Sequence, residues 1–385
     1  MNIISSTEKL NELIAKIEQS TDFVAIDTEF LREKTYYAKL CLIQVATHSL
    51  NAIIDPLAEG INLESFFSLL QNQKIVKVFF AGRQDLEILY FESHGVIPAP
   101  IFDCQIAAML CGYDDFISYQ QLVLSLLKIK LDKSSQLTDW STRPLSQEQL
   151  TYALHDVTYL CDIYAKLTKK LKKAGRESWV QEELKPLYKA ETYDPPIEEA
   201  WLRLKTKRNS QRELAIIQRI AVWREDKARK HNLPRSWVLK DEIISEIANI
   251  QPKNEQEFLA LKTVKKFGIR HKFDYKILCD IVNEVTELPM QTLPLIDAPA
   301  VHIGNSSLVE MLQFLLKLVA HENHIATSMI ATTANLKQMV LQNTCEGTAV
   351  MHGWRAKIFG HLAEELLQGK LGFCFKNNRA IYYKI

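Results

Sequence analysis

The chain has 385 residues, 47% hydrophobic and 24% charged, which is enough for two or three domains with their own cores. No run approaches the roughly 18 apolar residues of a membrane span, and no membrane partner is expected. Net charge is +1, but residues 201–235 hold 11 Lys/Arg against 3 Asp/Glu, so either a basic arm or a solvated helix face sits on a more acidic body.

Met1-Asn2-Ile3-Ile4 lacks the basic and apolar regions of a signal peptide. The seven cysteines form no Cys-x-x-Cys pair, which excludes a zinc framework and fits buried thiols in a reducing, cytoplasmic compartment.

Apolar periodicity over 7–19 predicts an amphipathic helix. Phe23-Val24-Ala25-Ile26 then runs into Asp27-Thr28-Glu29-Phe30, a buried strand with two acids one residue apart near its end. Side chains two apart on a strand share a face. Two neighbouring anions raise each other's pKa unless a cation joins them, and a hard divalent ion is the natural partner. A solvated turn is the plainer alternative. Strands over 40–46 and 52–56 follow, as in an antiparallel meander. A helix over 61–70, a strand over 75–80 and a helix over 82–91 come next. A short strand near 101, a helix to 111 and another over 120–127 complete an alternation that predicts parallel strands flanked by helices. Residues 128–145 read as a polar loop closed by Pro144.

Ser146-Gln147-Glu148-Gln149 is a capping box, and its helix runs to Ala174 with Gly175 to end it. Tyr152 and Asp156 share a face of that helix. Beside Leu154, Val157 and Leu160, a buried Asp156 needs a cation or hydrogen bonds. Asp85 opens the helix after strand 75–80; it either leans toward the strand ends or merely favours the helix N-terminus. Helical stretches over 178–192 and 197–205 are separated by Pro195-Pro196, a domain edge. Residues 209–287 are helical with a stop at Asn232-Leu233-Pro234, 288–305 are a linker, and 306–369 are helical again. A hairpin around Lys376-Asn377-Asn378-Arg379 closes the chain.

In order and spacing, Asp27 with Glu29, Asp85 and Asp156 resemble the three motifs of the DEDD superfamily of 3′→5′ exonucleases. Tyr152, four residues before the last acid, resembles the tyrosine branch. Leu42-Ile43-Gln44-Val45, Phe102-Asp103-Cys104-Gln105 and Thr138-Asp139-Trp140-Ser141-Thr142-Arg143-Pro144 extend the likeness to the ribonuclease D family. Ala228-Arg229-Lys230-His231-Asn232-Leu233-Pro234 resembles the nucleic-acid-binding HRDC domain, and His352-Gly353-Trp354-Arg355 a divergent second copy. Phe80 departs from the family, where histidine is common.

The resemblance implies an α/β, ribonuclease H-like exonuclease domain with a mixed sheet flanked by helices, followed by two all-α HRDC-type domains. The boundaries expected are 1–195 for the exonuclease, 196–208 for a linker, 209–290 for the HRDC domain, 291–305 for a second linker and 306–385 for the second copy. It further implies that Asp27, Glu29, Asp85 and Asp156 hold two divalent ions, Mg²⁺ or Mn²⁺, while Tyr152 orients the attacking water. Thr28 and Phe30 become candidates for holding the 3′-terminal nucleotide, and Lys133 and Arg143 for touching phosphates. The expected activity is a monomeric 3′→5′ exoribonuclease releasing nucleoside 5′-monophosphates from tRNA precursors and other structured RNA. A DNA-directed exonuclease shares the acids, and no residue discriminates it. A non-catalytic RNA-binding protein sits poorly with an intact acid set. A helicase module is excluded because no Walker phosphate loop occurs. Residues 1–195 are expected to do the chemistry alone and 209–385 to hold the body of the RNA.

Overall fold

The apolar run ahead of Asp27 lies in the interior of a sheet: Phe23, Val24, Ala25 and Ile26 are all buried, without the alternation of a half-exposed strand. The structure is a computed structural model and describes residues 3–131, 138–206, 210–268, 274–294 and 306–385. Packing divides the chain into two compact units. The first comprises Met1–Glu29, Leu40–Lys189 and Ala300–Ile385; the second comprises Phe30–Lys39 and Ala190–Pro299.

In the first unit, β1 (Ile3–Ile4) leads through α1 (Thr7–Ser20) to β2 (Phe23–Leu31), β3 (Lys39–Ala46) and β4 (Asn51–Ile54). Then come α2 (Glu64–Gln71), β5 (Val76–Phe79), α3 (Arg83–Glu92), β6 (Ile101–Asp103), α4 (Cys104–Leu110) and α5 (Tyr119–Leu127). The sheet order is β1-β4-β3-β2-β5-β6. β3 and β4 are antiparallel, whereas β1 with β4, β2 with β5 and β5 with β6 are parallel, so the sheet is mixed as expected. Lys77 lies fully buried in β5; its ammonium donates to the Asn72, Ile75 and Ala99 carbonyls, and burial lowers its pKa to about 8. The long α6 (Gln147–Ala174) starts at the Ser146 capping box and stops at left-handed Gly175. α7 (Glu177–Leu184) follows, and Pro186, with no N–H to donate, falls where the chain tightens into a 3₁₀ turn over Lys185–Tyr188.

The second unit is helical: α8 (Gln211–Lys230), α9 (Arg235–Val238), α10 (Asp241–Ile250), α11 (Glu255–Ala260), α12 (Lys262–Phe267) and α13 (Asp274–Glu287). Ile216, Ile220, Ile243, Ile247, Leu278 and Val282 form its core. The basic stretch is largely neutralised inside this unit. Arg224 pairs with Asp241, Lys227 with Asp274, Arg229 with Asp194 and Arg219 with Glu284. A count over 201–235 misses these acids because they lie outside that window, which corrects the reading of a free basic arm.

The remaining stretch belongs to the first unit. It begins with α14 (Ser306–Asn323) and ends in the expected hairpin of β7 (Leu371–Lys376) and β8 (Arg379–Lys384), turning through Asn377 and Asn378 at positive φ. Packing therefore groups the chain differently from the expected segments: residues 306–385 join the nuclease body, and residues 30–39 join the helical unit.

Candidate active site

β2 and α6 bring the first and last acids together. One carboxylate oxygen from each of Asp27, Glu29 and Asp156 lies within 4.8 Å of the others. The strand's two-residue period puts Asp27 and Glu29 on one face, and α6 presents Asp156 to it. Asp85, in the first turn of α3, is outside that trio and is held from the side: the Thr28 hydroxyl donates to its Oδ1 at 2.5 Å. Tyr152 stands one turn before Asp156 on α6, so the two share a helix face.

The four acids are crowded: Asp85 is buried, and Asp27, Glu29 and Asp156 are half-buried. Burial, then the charges of Asp85, Asp156 and Glu29, push Asp27 far above the usual carboxylate range. Burial with Asp156 and Asp85 raises Glu29 to about 9. Burial raises Asp156 to about 7 despite the Tyr152 hydroxyl, and Asp85 to about 6 despite the Thr28 hydroxyl. Among the described residues, no lysine, arginine or histidine pairs with any of them. Four hard oxygen donors with no protein cation fit divalent ions. A cavity of about 420 Å³ reaches Asp156 and is lined also by Gln120, Lys130, Thr151, Tyr152, His155 and Tyr159. That volume is within the range of small-molecule sites.

These raised values set an expected pH dependence. A carboxyl whose pKa is higher folded than unfolded stabilises fully below the unfolded value, near 4, and loses that contribution as pH rises through the folded value. The metal-free protein should lose stability between pH 5 and 8, and a divalent ion should offset the loss. The rise in Tm produced by Mn²⁺ should therefore be small at pH 5 and larger at pH 8. Equal rises at both pH values would contradict the arrangement.

Several supporting residues went unread in the sequence. Asp103, buried at the end of β6, accepts N–H donors from Gln105 and Ile106 as the cap of α4, and from Ala81 and Gly82 across the turn that launches α3. It thus fixes the helix that carries Asp85; an acid just ahead of a helix is the signal that marks it. Trp140, buried, stands against Tyr152 with ring centroids 6.0 Å apart. The departure at Phe80 is absorbed locally: its ring meets Tyr119 edge-on at 5.3 Å, and the Tyr119 hydroxyl donates to the His155 carbonyl.

The expected substrate contacts fare differently. All five guanidinium N–H donors of Arg143 have protein acceptors: Asp55 twice and the carbonyls of Cys41, Trp140 and Thr142. These bonds fasten the loop bearing Trp140 to Cys41 and Asp55. Thr28 is buried with its hydroxyl on Asp85. Phe30 is half-buried near the end of β2. Lys133 lies outside the described residues.

The mixed sheet and the converging carboxylates agree with the matched family models: residues 1–172 match the 3′-5′ exonuclease domain and 213–275 the HRDC domain. The fold and site thus define a 3′→5′ exonuclease. Ribonuclease D of Bartonella henselae is 45% identical over 98% of this chain and 93% of its own length; that of Jannaschia sp. is 40% identical over 98% and 97%. The crystal structure of Escherichia coli RNase D, described as an exoribonuclease involved in structured RNA processing, matches with a TM-score of 0.80 at 27% identity, covering 96% of this chain and 99% of that one. The chain belongs to the ribonuclease D family and is a 3′→5′ exoribonuclease.

Proposed function

We propose that Asp27, Glu29, Asp85 and Asp156 hold two divalent ions, Mg²⁺ or Mn²⁺, and that the chain trims tRNA precursors and other structured RNA from the 3′ end, releasing nucleoside 5′-monophosphates. The observation that carries this reading is the meeting of acids from β2 and α6 within 4.8 Å, with no protein cation among the described residues to neutralise them. Two such ions, when bound, supply Lewis acidity at the attacking water and at the departing 3′ oxygen. The chain's residues do the rest. Thr28 holds Asp85 in one orientation through its hydroxyl. Burial, followed by the charges of Asp156, Glu29 and Asp27, raises the Tyr152 phenol well above its ordinary value, so it keeps its proton and serves as an orienting hydroxyl rather than a base. Phe30 is the candidate for stacking on the terminal base. The HRDC match over 213–275 supports a nucleic-acid contact beyond the active site. The free cysteines, with no disulfide among the described residues, support a cytoplasmic protein.

Matched RNA and DNA with the same 3′ tail, each incubated with Mg²⁺, with Mn²⁺ and with chelator, test this reading. Metal-dependent release of nucleoside 5′-monophosphates from RNA is the expected result. Equal turnover in chelator would overturn the metal assignment, and faster release from DNA would overturn the substrate. Tyr152→Phe deletes one hydroxyl and should lower kcat about 10²-fold, the low end for proton-handling groups, with RNA binding unchanged. Single-turnover kinetics would expose an unaltered rate, which would demote Tyr152 to packing against Trp140.

A further inference from the structure

Residues 369–385 hold four Lys/Arg, no Asp or Glu, and four aromatic residues. Cations interleaved with rings are the composition of a nucleic-acid surface. The stretch folds as the β7–β8 hairpin, a two-stranded sheet of its own, and lies outside both matched domains, 1–172 and 213–275. An isolated hairpin is marginal in water, so one face has to pack. Phe373 meets Phe314 of α14 with ring centroids 5.1 Å apart and planes at 72°. Its cross-strand partner Tyr382 donates its hydroxyl to Glu322 Oε2, also on α14, at 3.1 Å. Phe373 and Tyr382 therefore mark the face laid on α14.

The two-residue period turns the alternate pairs to the other face: Gly372 with Tyr383, Cys374 with Ile381, and Lys376 with Arg379. That face is open. Tyr383 is 47% exposed, and Cys374, Lys376 and Arg379 are exposed as well. A Cβ at Gly372 would stand 3.1 Å from Tyr383 Cζ, so the bare glycine lets the tyrosine ring lie across the neighbouring strand. Lys376 and Arg379 stand directly opposite each other across the Asn377-Asn378 turn. Like charges so placed repel. Among the described residues no carboxylate pairs with either, whereas Lys384 on the same hairpin pairs with Glu365. An anion at the tip removes that repulsion. Tyr383 and Arg379 are four residues apart, about 13 Å along a strand, too far for one free phosphate to touch both.

We propose that the outer face of the β7–β8 hairpin binds single-stranded RNA, with Lys376 and Arg379 on phosphates and Tyr383 stacked on a base. This rests on the reading of RNA as the substrate, and it adds a contact with a part of the strand other than the nucleotide being removed. A polymer of phosphates and rings matches both halves of the face, because phosphates neutralise the opposed cations and every base has a face to stack. A second copy of the chain docking through the same patch would set cations against cations, since a two-fold contact is self-complementary.

The test uses the full-length chain and a fluorescein-labelled single-stranded oligoribonucleotide, with affinity read by anisotropy in chelator across a salt series. The double variant Lys376→Gln/Arg379→Gln should weaken binding and flatten the slope of log affinity against log salt by about 1.4, two phosphates at about 0.7 each. Tyr383→Ala should weaken binding about tenfold with the slope unchanged. Both should keep the wild-type kcat on a trinucleotide, because neither touches the acids. Lys337→Gln, an exposed cation on the helix Thr333–Gln342 of the same C-terminal stretch, should keep the wild-type slope. Wild-type affinity and slope in the folded double variant would overturn the proposal. So would an equal flattening in Lys337→Gln, because the effect would then be one of overall charge. If Tyr383→Ala does not fold, the double variant decides. A concentration-dependent dimer that either variant abolishes, with RNA affinity intact, would assign the face to a second copy and overturn the proposal as well. No measurable RNA binding by the wild-type chain would overturn the RNA reading itself, whereas wild-type binding retained by both folded variants overturns the hairpin contact alone.

Discussion

Asn at position 27 is expected to reduce hydrolysis about a thousandfold or more while leaving the chain folded. The substitution removes one ligand charge and almost no volume. Ions in such a site contribute several kcal/mol to the transition state, and a thousandfold loss corresponds to about 4 kcal/mol. The electrostatics add a second, opposite signature. Asp27 is forced above the usual carboxylate range by burial and by three neighbouring acids. Removing it relieves that repulsion, so in chelator at pH 8 the Asp27→Asn protein should melt no lower than wild type, and higher if the acids are ionised. Activity and metal-free stability should therefore move in opposite directions. A variant with wild-type turnover in Mg²⁺ would show that this acid is not a ligand. One that is inactive because it melts far below wild type would show that Asp27 serves the fold.

The second large effect is on the C-terminal stretch. Deleting residues 300–385 is expected to unfold or aggregate the nuclease unit, contrary to the sequence-level expectation that residues 1–195 suffice. Trp354 is buried, 3% exposed, and stacks on Trp179 of α7 with centroids 4.7 Å apart and planes at 9°. Arg355 forms a two-point pair with Glu183 at 2.7 and 2.6 Å. Arg176 donates to the Asn323 and His324 carbonyls, and Asp115 accepts from Thr327 and Ser328. At Gly353, with φ 56°, a Cβ would run into the Glu182 carboxylate, so the turn before Trp354 needs glycine. Truncating a buried tryptophan to alanine costs about 3–5 kcal/mol, against a typical domain stability of about 5–15 kcal/mol. Trp354→Ala should lower the unfolding free energy by that amount, read from the urea midpoint and slope, and the deletion should do more. A chain lacking 300–385 that melts at the full-length temperature would show the stretch to be dispensable. That outcome would restore the simpler division between a self-sufficient catalytic half and a binding half.

Sequence alone settled the local matters. The apolar run before Asp27, the Ser146 capping box, the glycine after Ala174 and the Asn-Asn hairpin are written in neighbouring residues, because strand and helix periodicity and cap chemistry act over a few positions. The order of the acids was legible for the same reason: the two-residue period of β2 and the four-residue spacing on α6 each fix a shared face. What only the tertiary structure decided depends on partners far apart in the chain. Thr28 and Arg143 read as candidate substrate contacts, and only the folded chain shows them bonded to Asp85 and Asp55. The basic stretch read as either a basic arm or a solvated helix face, and only the fold shows Asp194, Asp241, Asp274 and Glu284 opposite four of its cations. Residues 306–385 read as a separate domain until Trp354 met Trp179. A charge or an aromatic ring in a sequence carries no mark of whether its complement is solvent, ligand or another part of the same chain; burial and pairing decide that, and they exist only once the chain has folded.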